Sequence, residues 1–304
     1  MSVPRYTGVR TFARLEHTQE LDGVAAAVVG VPFDTATSFR PGARFGPEAI
    51  RSGSTLLRPY HPLLQINPLQ SVIDYGDLAT TPGNAERTAG QISDGLGAVL
   101  GSGAVPVVLG GDHSVVLGEL RAHAAAAGEP VAVVLLDAHA DTWDEYYGER
   151  YFHGTPFRRA VEEGVIAPER SLFAGMRGPL YAASDLEDAR EMGFDLILGD
   201  ELRSIGPGEY SERVRARVGD GPVMLSFDID VIDPAFAPGT GTPEVAGLLP
   251  HEALVLLRSL AGIDFRGFDV VEVAPPYDNA AQTTAMLAAN IAYEMLALTA
   301  LARG

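Results

Sequence analysis

The chain contains neither cysteine nor lysine among its 304 residues. The absence of cysteine excludes a disulfide framework, a thiolate metal site and a cysteine nucleophile. The absence of lysine excludes Schiff-base chemistry on an internal lysine and a phosphate-binding loop of the Walker type. All 22 basic side chains are therefore arginines, and they stand against 40 acidic side chains.

The excess of acidic residues gives a formal net charge of −18 at pH 7 and a pI of about 4.7. Nucleic acids and anionic membranes need a basic surface, so neither is an expected partner, whereas a small cation is compatible. No apolar signal-peptide segment is visible near the N-terminus. The apolar residues 281–302 include polar side chains, which favours a buried or interface helix over a membrane span. We therefore expect a cytoplasmic protein.

Short apolar runs rich in β-branched residues alternate with segments of helical periodicity. Such runs predict strands that are buried on both faces, as in a parallel sheet. They occur at residues 24–31, 104–109, 131–136, 171–178, 195–198, 222–227 and 267–273, and residues 71–78 resemble an edge strand. The alternation predicts a doubly wound α/β fold. We expect a single domain over residues 1–304, with an irregular arm at residues 1–22.

Three of the predicted strands are followed by residues that can bind metals. In open α/β sheets, ligands bind outside the carboxyl ends of the strands. Alternate residues in extended backbone point to one face, so closely spaced side chains would converge there. The candidates after residues 104–109, 131–136 and 222–227 are His113; Asp137, His139 and Asp141; and Asp228 and Asp230.

Four carboxylates and two imidazoles exceed the needs of one cation and fit two, with some aspartates bridging. The alternative, helix caps beside a core histidine, does not explain why three strands carry such residues at the same end. Oxygen-rich ligation with some imidazole favours manganese, before nickel, cobalt or iron. Two ions about 3.5–4 Å apart can lower the pKa of a shared water. The residues therefore predict metal-assisted hydrolysis.

Three motifs, in the same order and spacing, resemble those of the ureohydrolase family of arginases and agmatinases. They are GGDHS at residues 110–114, DAHAD at 137–141 and SFDID at 226–230. The segments GTGTP at 239–243 and DVVEV at 269–273 extend the resemblance, which covers about residues 24–300. It implies an arginase-like three-layer α/β/α fold, two Mn²⁺ ions per subunit and a homotrimer or homohexamer. It also implies hydrolysis of a guanidinium group to urea and a primary amine.

The resemblance implies two ligand sets that share Asp137 and Asp228. The first set is His113, Asp137, Asp141 and Asp228. The second set is Asp137, His139, Asp228 and Asp230. Asp141 would also take up the proton of the attacking water. Glu272 would hold the substrate guanidinium by charge-assisted hydrogen bonds, and His153, in the HGTP segment, would protonate the departing amine.

Other polar residues near the motifs have simpler interpretations. His153 could merely begin a helix, although its segment matches the family. Asp112 and Asp233 are expected to support the site or cap loops rather than to bind metal. The remaining histidines lie outside any motif and are predicted at the surface or in loops: His17, His61, His123 and His251.

The substrate is harder to predict than the reaction. The loop at residues 143–152, WDEYYGERYF, departs from the loop rich in Asn and Ser of arginases and argues against arginine. Acidic residues there would suit the distal ammonium of agmatine: Asp144, Glu145 and Glu149. Arginines could instead hold the carboxylate of 4-guanidinobutyrate or 3-guanidinopropionate: Arg44, Arg150 or Arg177. We favour the hydrolysis of agmatine to urea and putrescine, then a guanidino-acid hydrolase, then an arginase.

Two hypotheses from other classes explain the sequence less well. Arginase-fold deacetylases use a single zinc ion, whereas this chain has both histidines and the full set of aspartates. A catalytically silent subunit typically lacks ligands, and none is missing here. Both hypotheses are therefore less favoured than a binuclear hydrolase.

Overall fold

The computed structural model describes residues 4–303. The predicted irregular arm at residues 1–22 is described from residue 4 onwards, and its first three residues lie outside the described range. Within the arm, Phe12–Arg14 forms a single 3-10 turn. The Phe12 side chain is fully buried, so this part of the arm contributes to the core.

In the described part of the chain, eight strands form one sheet in which every neighbouring pair is parallel. They are β1 (Ala26–Gly30), β2 (Val72–Asp77), β3 (Val105–Leu109), β4 (Ala132–Leu136), β5 (Leu172–Met176), β6 (Asp195–Leu198), β7 (Val223–Asp228) and β8 (Phe265–Val271). Their order is β2-β1-β3-β8-β7-β4-β5-β6, so β2 is an edge strand, as predicted. Strands β1, β3, β4, β5 and β7 are buried throughout, as expected for strands covered on both faces.

Within residues 4–303, eight α-helices cover the sheet. They are α1 (Gly46–Gly53), α2 (Ala85–Gly101), α3 (Val116–Ala127), α4 (Pro156–Glu163), α5 (Ser184–Glu191), α6 (Gly199–Val218), α7 (Pro250–Ser259) and α8 (Thr283–Arg303). Helices α1, α6, α7 and α8 share one hydrophobic core with the sheet, and α2 to α5 pack in the cores on its other face. Within β4, Val134 and Leu136 face the first core, and Val133 and Leu135 face the second. These two helical layers confirm the three-layer α/β/α fold.

Helix α6 differs from its simplest sequence interpretation, whereas helix α8 agrees with the expected buried helix. Helix α6 begins at Gly199 and contains a kink at Gly206 and Pro207. The Gly-Pro-Gly segment suggests a loop, but Gly206 adopts a φ of +69° and lets the chain continue as a second helical segment. Helix α8 is long and apolar enough to cross a membrane, yet 67% of its most apolar window is buried within the chain.

A buried ion pair ties helix α1 to the edge strand β2. Arg51 Nε and Nη2 donate to the two carboxylate oxygens of Asp74, at 2.8 and 2.9 Å. The same carboxylate accepts the backbone N–H of Phe12 at 2.7 Å. Both Arg51 and Asp74 are buried, so the pair anchors the arm, α1 and β2 at one point.

We expect Arg51→Met to lower the free energy of unfolding by about 3–5 kcal/mol, because it leaves the Asp74 charge buried without its cation. Arg121→Met is the matched control, since the Arg121–Glu163 pair is partly exposed and should contribute at most about 1 kcal/mol. Urea denaturation of both variants measures the difference. Equal losses would show that the buried pair has no special role.

Candidate metal centre and active site

The six predicted metal ligands converge at the carboxyl edge of the sheet. His113 follows β3, the segment from Asp137 to Asp141 follows β4, and Asp228 ends β7. Because all the strands are parallel, their carboxyl ends lie at the same edge. Five of the six residues are buried, and His139 is the most exposed, with 19% of its side chain accessible.

The ligand atoms form two groups that share Asp137. In the first, His113 Nδ1 lies 3.0 Å from Asp137 Oδ2, 3.0 Å from Asp141 Oδ2 and 3.4 Å from Asp228 Oδ2. In the second, His139 Nδ1 lies 3.1 Å from Asp230 Oδ2 and 3.6 Å from Asp137 Oδ1. Asp137 thus offers a different oxygen to each group, as a bridging carboxylate would.

The arrangement of these atoms fits cations at both positions. His113 Nδ1 and Asp137 Oδ2 are buried and lack hydrogen-bond partners although they are 3.0 Å apart. Their lone pairs therefore face a shared space. Burial, together with the charges of Asp230 and Asp137, raises the pKa of Asp228 well above its usual value. Such concentrated negative charge is unfavourable unless a cation offsets it, and carboxylate and imidazole donors suit a divalent ion such as manganese.

The outer nitrogen of each of the two candidate ligand histidines faces a second partner. His113 Nε2 lies 3.0 Å from Ser226 Oγ, and this hydroxyl donates to Asp269 Oδ1 at 2.7 Å. Since the hydroxyl proton goes to the carboxylate, Ser226 accepts the Nε2–H of His113, which directs the Nδ1 lone pair towards the aspartates. His139 Nε2 lies 3.9 Å from Glu244 Oε1. We did not predict a role for Asp269 from the sequence, although a carboxylate within the buried part of a strand is a usable signal.

Glu272 follows β8 and faces the first ligand group. Its Oε1 accepts the backbone N–H of His113 at 2.9 Å and lies 2.8 Å from His153 Nδ1. Its Oε2 is buried and has no hydrogen-bond partner, so it can accept hydrogen bonds from a substrate. Glu272 and Asp141 adopt φ values of +61° and +50°, a strained region for residues other than glycine that often occurs at functional sites.

His153 lies between Glu272 and the loop that follows β1. Its Nε2 is 2.8 Å from Ser38 Oγ and 3.0 Å from Ser38 N. Burial lowers the pKa of His153, but the charges of Glu272, Asp141 and Asp112 outweigh that effect and raise the pKa to about 9. When protonated, Nε2 can donate to the Ser38 hydroxyl, and when neutral it can accept the Ser38 N–H. Both protonation states therefore have a partner, which suits a group that transfers a proton.

Asp112 and Asp233 act as local supports. Asp112 accepts the backbone N–H groups of Ala36 and Ser114 at 3.1 and 3.0 Å. Asp233 accepts those of Ala235 and Gly247 at 2.9 and 3.1 Å. Both carboxylates thus hold backbone in place, in agreement with the interpretation of these residues as caps.

The prediction was wrong for one of the four remaining histidines, His123, which lies neither in a loop nor at the surface. His61 does lie in a loop, but only 3% of it is accessible and its Nε2 is 3.2 Å from Glu294 Oε1. His123 is on helix α3 and is also only 3% exposed. His17 and His251 are exposed, as expected. A lone histidine on a helix gives no sequence signal of burial unless the neighbouring elements are known.

A cavity of about 470 Å³ opens above the ligands. Its floor includes His139, Asp141 and Asp228, and His153 borders it. Aromatic residues dominate the wall: Phe39, Trp143, Tyr146 and Tyr181. Of these, Trp143, Tyr146 and Tyr181 contact one another, with ring centroids 5.3 to 6.4 Å apart. The loop from residue 38 and the aromatic loop from residue 143 are therefore walls of the site.

The charged residues expected to bind the substrate tail do not line this cavity. Most of them have other partners instead. Asp144 pairs with Arg159 at 2.6 Å, and Arg150 pairs with Glu162 at 2.7 Å. The other four residues are also absent from the cavity wall, as far as residues 4–303 describe it. They are Arg44, Glu145, Glu149 and Arg177.

Arg44 is paired with Asp34, and Arg177 Nη2 donates to the backbone oxygens of Asp230 and Glu244 at 2.6 and 2.8 Å. Among residues 4–303, the acidic side chain that lines the cavity in addition to the candidate ligands is Glu244, directly after the GTGTP segment. Sequence reasoning missed it, and its position next to a family segment is the signal that could have found it.

The fold and the paired ligand groups define a metal-dependent hydrolase centre on an α/β/α scaffold. Residues 24–297 match the arginase family model, and the chain belongs to the arginase family. The chain is 45% identical to a guanidinobutyrase from Pseudomonas aeruginosa, covering 97% of this chain and 93% of that protein. It is 44% identical to a mitochondrial agmatinase from Gallus gallus, covering 97% and 86%. The structure of proclavaminate amidinohydrolase from Streptomyces clavuligerus superposes with a TM-score of 0.93 at 42% identity, covering 99% and 100%.

Because Asp137 belongs to both ligand groups, we expect Asp137→Asn to lose metal at both positions and to abolish hydrolysis. Metal analysis after removal of free ions, together with activity, measures both effects. Asp264→Asn is the control, since Asp264 is half-exposed and pairs with Arg266 away from the site. An active Asp137→Asn protein with its full metal content would contradict the shared-ligand arrangement.

Proposed function

We propose that this arginase-family hydrolase uses two manganese ions to cleave agmatine to urea and putrescine. The main support is the charge of the cavity. Apart from the ligands and His153, the ionisable wall residues among those described are two tyrosines and Glu244. An acidic and aromatic wall suits a substrate whose far end carries a positive charge.

The proposed ligand sets are those given by the sequence motifs. His113, Asp137, Asp141 and Asp228 would bind the first ion, and Asp137, His139, Asp228 and Asp230 would bind the second. The distances support the shared position of Asp137 and place Asp228 beside His113. When bound, the ions lower the pKa of a water molecule and so supply the nucleophile at neutral pH.

The residues around the ligands would complete the reaction. Glu272 Oε2, which is buried and has no hydrogen-bond partner, would accept hydrogen bonds from the substrate guanidinium and would hold the guanidinium carbon near the ligands. Asp141 would take up the proton released as water adds to that carbon. His153 would donate its Nε2 proton to the departing nitrogen as the carbon–nitrogen bond breaks. The products are urea and a primary amine.

The cavity wall would hold the tail of the substrate. The faces of Trp143 and Tyr146 can attract an ammonium group through cation–π interactions. Glu244 can add a charge-assisted hydrogen bond, because its carboxylate lies at the same wall and near His139. Guanidinium recognition would then depend on Glu272, and tail recognition on the loops.

A guanidino-acid hydrolase is the second candidate. The names of several relatives favour it: beside the guanidinobutyrase, a human protein called guanidino acid hydrolase is 42% identical over 97% of this chain. The charge of the wall is the observation against it. A carboxylate tail would meet Glu244 at the wall. Arg177 lines an adjoining cavity that also borders His139 and Asp141, but its Nη2 already donates to the backbone oxygens of Asp230 and Glu244.

Urea release by the manganese-loaded protein distinguishes the candidates. We expect the highest kcat/KM for agmatine, compared with 4-guanidinobutyrate, 3-guanidinopropionate and arginine. Glu244→Gln should lower kcat/KM for agmatine by about tenfold, as expected from the loss of one charge-assisted contact, and should not lower it for 4-guanidinobutyrate. Glu145→Gln is the control, since Glu145 lies outside the wall. Metal analysis of Glu244→Gln checks that His139 still binds.

A preference for a guanidino acid would replace agmatine with the second candidate and leave the proposed hydrolysis in place. Release of no urea from any of the four compounds by protein that contains two manganese ions would contradict the proposed reaction itself.

We expect His153→Ala to lower kcat about 10²–10⁴-fold, the usual contribution of a general acid, with metal content unchanged. The reason is that His153 contacts Glu272 and Ser38 but none of the proposed ligands. His251→Ala, at an exposed position, is the control. Loss of metal from His153→Ala would mean that His153 supports the metal centre rather than proton transfer.

A further inference from the structure

Helix α3 carries a buried carboxyl group that the proposed reaction does not use. Glu119 has no accessible surface, and neither of its carboxyl oxygens has a hydrogen-bond partner. An isolated buried carboxylate is costly, so the group should be neutral, paired or both. Its surroundings indicate which partner it has.

The face of α3 that bears Glu119 packs on strand β8. One turn after Glu119, the His123 ring lies against β8. A Cβ atom placed on Gly267 would be only 2.2 Å from Nε2 of His123. Asp269 is two residues further along β8, so its side chain is on the same face as position 267. Asp269 is fully buried, and its Oδ2 has no hydrogen-bond partner.

The charges around Glu119 favour its protonated form. Burial and then the charge of Asp269 raise the pKa of Glu119 well above its usual value, and the nearby His113 opposes them. His123 offers no compensating charge, because burial lowers its pKa to about 4. Ionising both of two neighbouring buried carboxyl groups is unfavourable, because their negative charges repel each other and neither is solvated. One proton should therefore remain on the pair.

Asp269 is the better placed of the two to carry the negative charge. Its Oδ1 accepts the Ser226 hydroxyl at 2.7 Å and the Phe227 N–H at 3.2 Å. Glu119 has no such donors. The proton should therefore lie on Glu119, and a side-chain rotation or one bridging water would bring it to Asp269.

We propose that Glu119 is a positioning residue, which as a carboxylic acid donates a hydrogen bond to Asp269 Oδ2. This hydrogen bond completes a chain of hydrogen bonds that runs from Glu119 through Asp269 and Ser226 to Nε2 of His113. The chain holds the Nε2–H of His113 as a donor and keeps its Nδ1 lone pair on the metal side. This inference rests on the metal-binding role proposed for His113.

Infrared difference spectroscopy tests the proton on Glu119 directly. We expect the spectrum of the wild type minus that of Glu119→Gln to show the carbonyl stretch of a protonated carboxylic acid, both with and without manganese. Asp269→Asn should keep this band, since Glu119 remains buried. Glu294→Gln is the control, because Glu294 is a buried carboxylate paired with Arg258 and should not contribute to the band. No band in the wild-type difference, or loss of the band in Asp269→Asn, would overturn the proposal.

Metal affinity tests the effect on His113. In competition with a chelator, Glu119→Leu should bind manganese about tenfold more weakly, and Asp269→Asn about 10–100-fold more weakly, as is usual when an outer hydrogen-bond partner of a ligand is removed. Glu119→Gln keeps an N–H donor towards Asp269 and should bind as the wild type does. Equal affinity in Glu119→Leu and the wild type would overturn the positioning role.

The two measurements separate this inference from the proposed function. If the wild type binds no manganese, the metal-binding role of His113 fails, and the band still reports whether the Glu119–Asp269 hydrogen bond exists. If manganese binds and the band is absent, the metal centre remains and the inference fails.

Discussion

Repulsion among buried carboxylates is the constraint on which the site depends. Asp137, Asp141, Asp228 and Asp230 lie at one edge of the sheet with hardly any access to water. The backbone offsets part of the cost. The N–H of His139 donates to Asp137 at 2.6 Å, that of Asp230 to Asp228 at 2.8 Å, and that of Ala138 to Asp230 at 3.2 Å. Each of these three carboxylates keeps its other oxygen for a histidine or a cation. The strand ends thus hold the ligands in place, and bound cations would complete the charge balance.

Holding so many polar groups together requires the chain to approach itself very closely. At Gly111, a Cβ atom would lie 1.7 Å from the backbone oxygen of Phe33, so only glycine fits there. The oxygen of Gly111 accepts the N–H of Glu272 at 2.8 Å. This contact links the segment before His113 to the residue after β8, where Glu272 has a left-handed backbone. The glycines of the GGDHS motif therefore matter as much for geometry as the histidine does for chemistry.

The sequence was sufficient for the strands, the layers and the grouping of the six ligands, because each of these depends on local periodicity or on short motifs. The 3.0 Å contacts of His113 with Asp137 and Asp141 follow once parallel strands end at one edge. Contacts between distant elements could not be predicted in the same way. His123 is buried only because Gly267 leaves room for its ring, and Asp269 meets Ser226 only through the register of β7 and β8. The charged loop residues, such as Asp144, were assigned by composition, yet Asp144 is bound to Arg159.

The same distinction explains why the reaction is easier to infer than the substrate. The proposed ligands sit on strand ends or just beyond them, where the sheet fixes their positions. The groups that could read the substrate tail sit on loops, where a change of backbone conformation exchanges one wall residue for another. Glu244 faces the cavity, whereas Arg177, whose Nη2 donates to the backbone oxygen of Glu244, does not. Relatives with the same scaffold carry names that refer to agmatine and to guanidino acids. A few loop residues, rather than the metal ligands, are therefore the place where substrate preference in this chain should be decided.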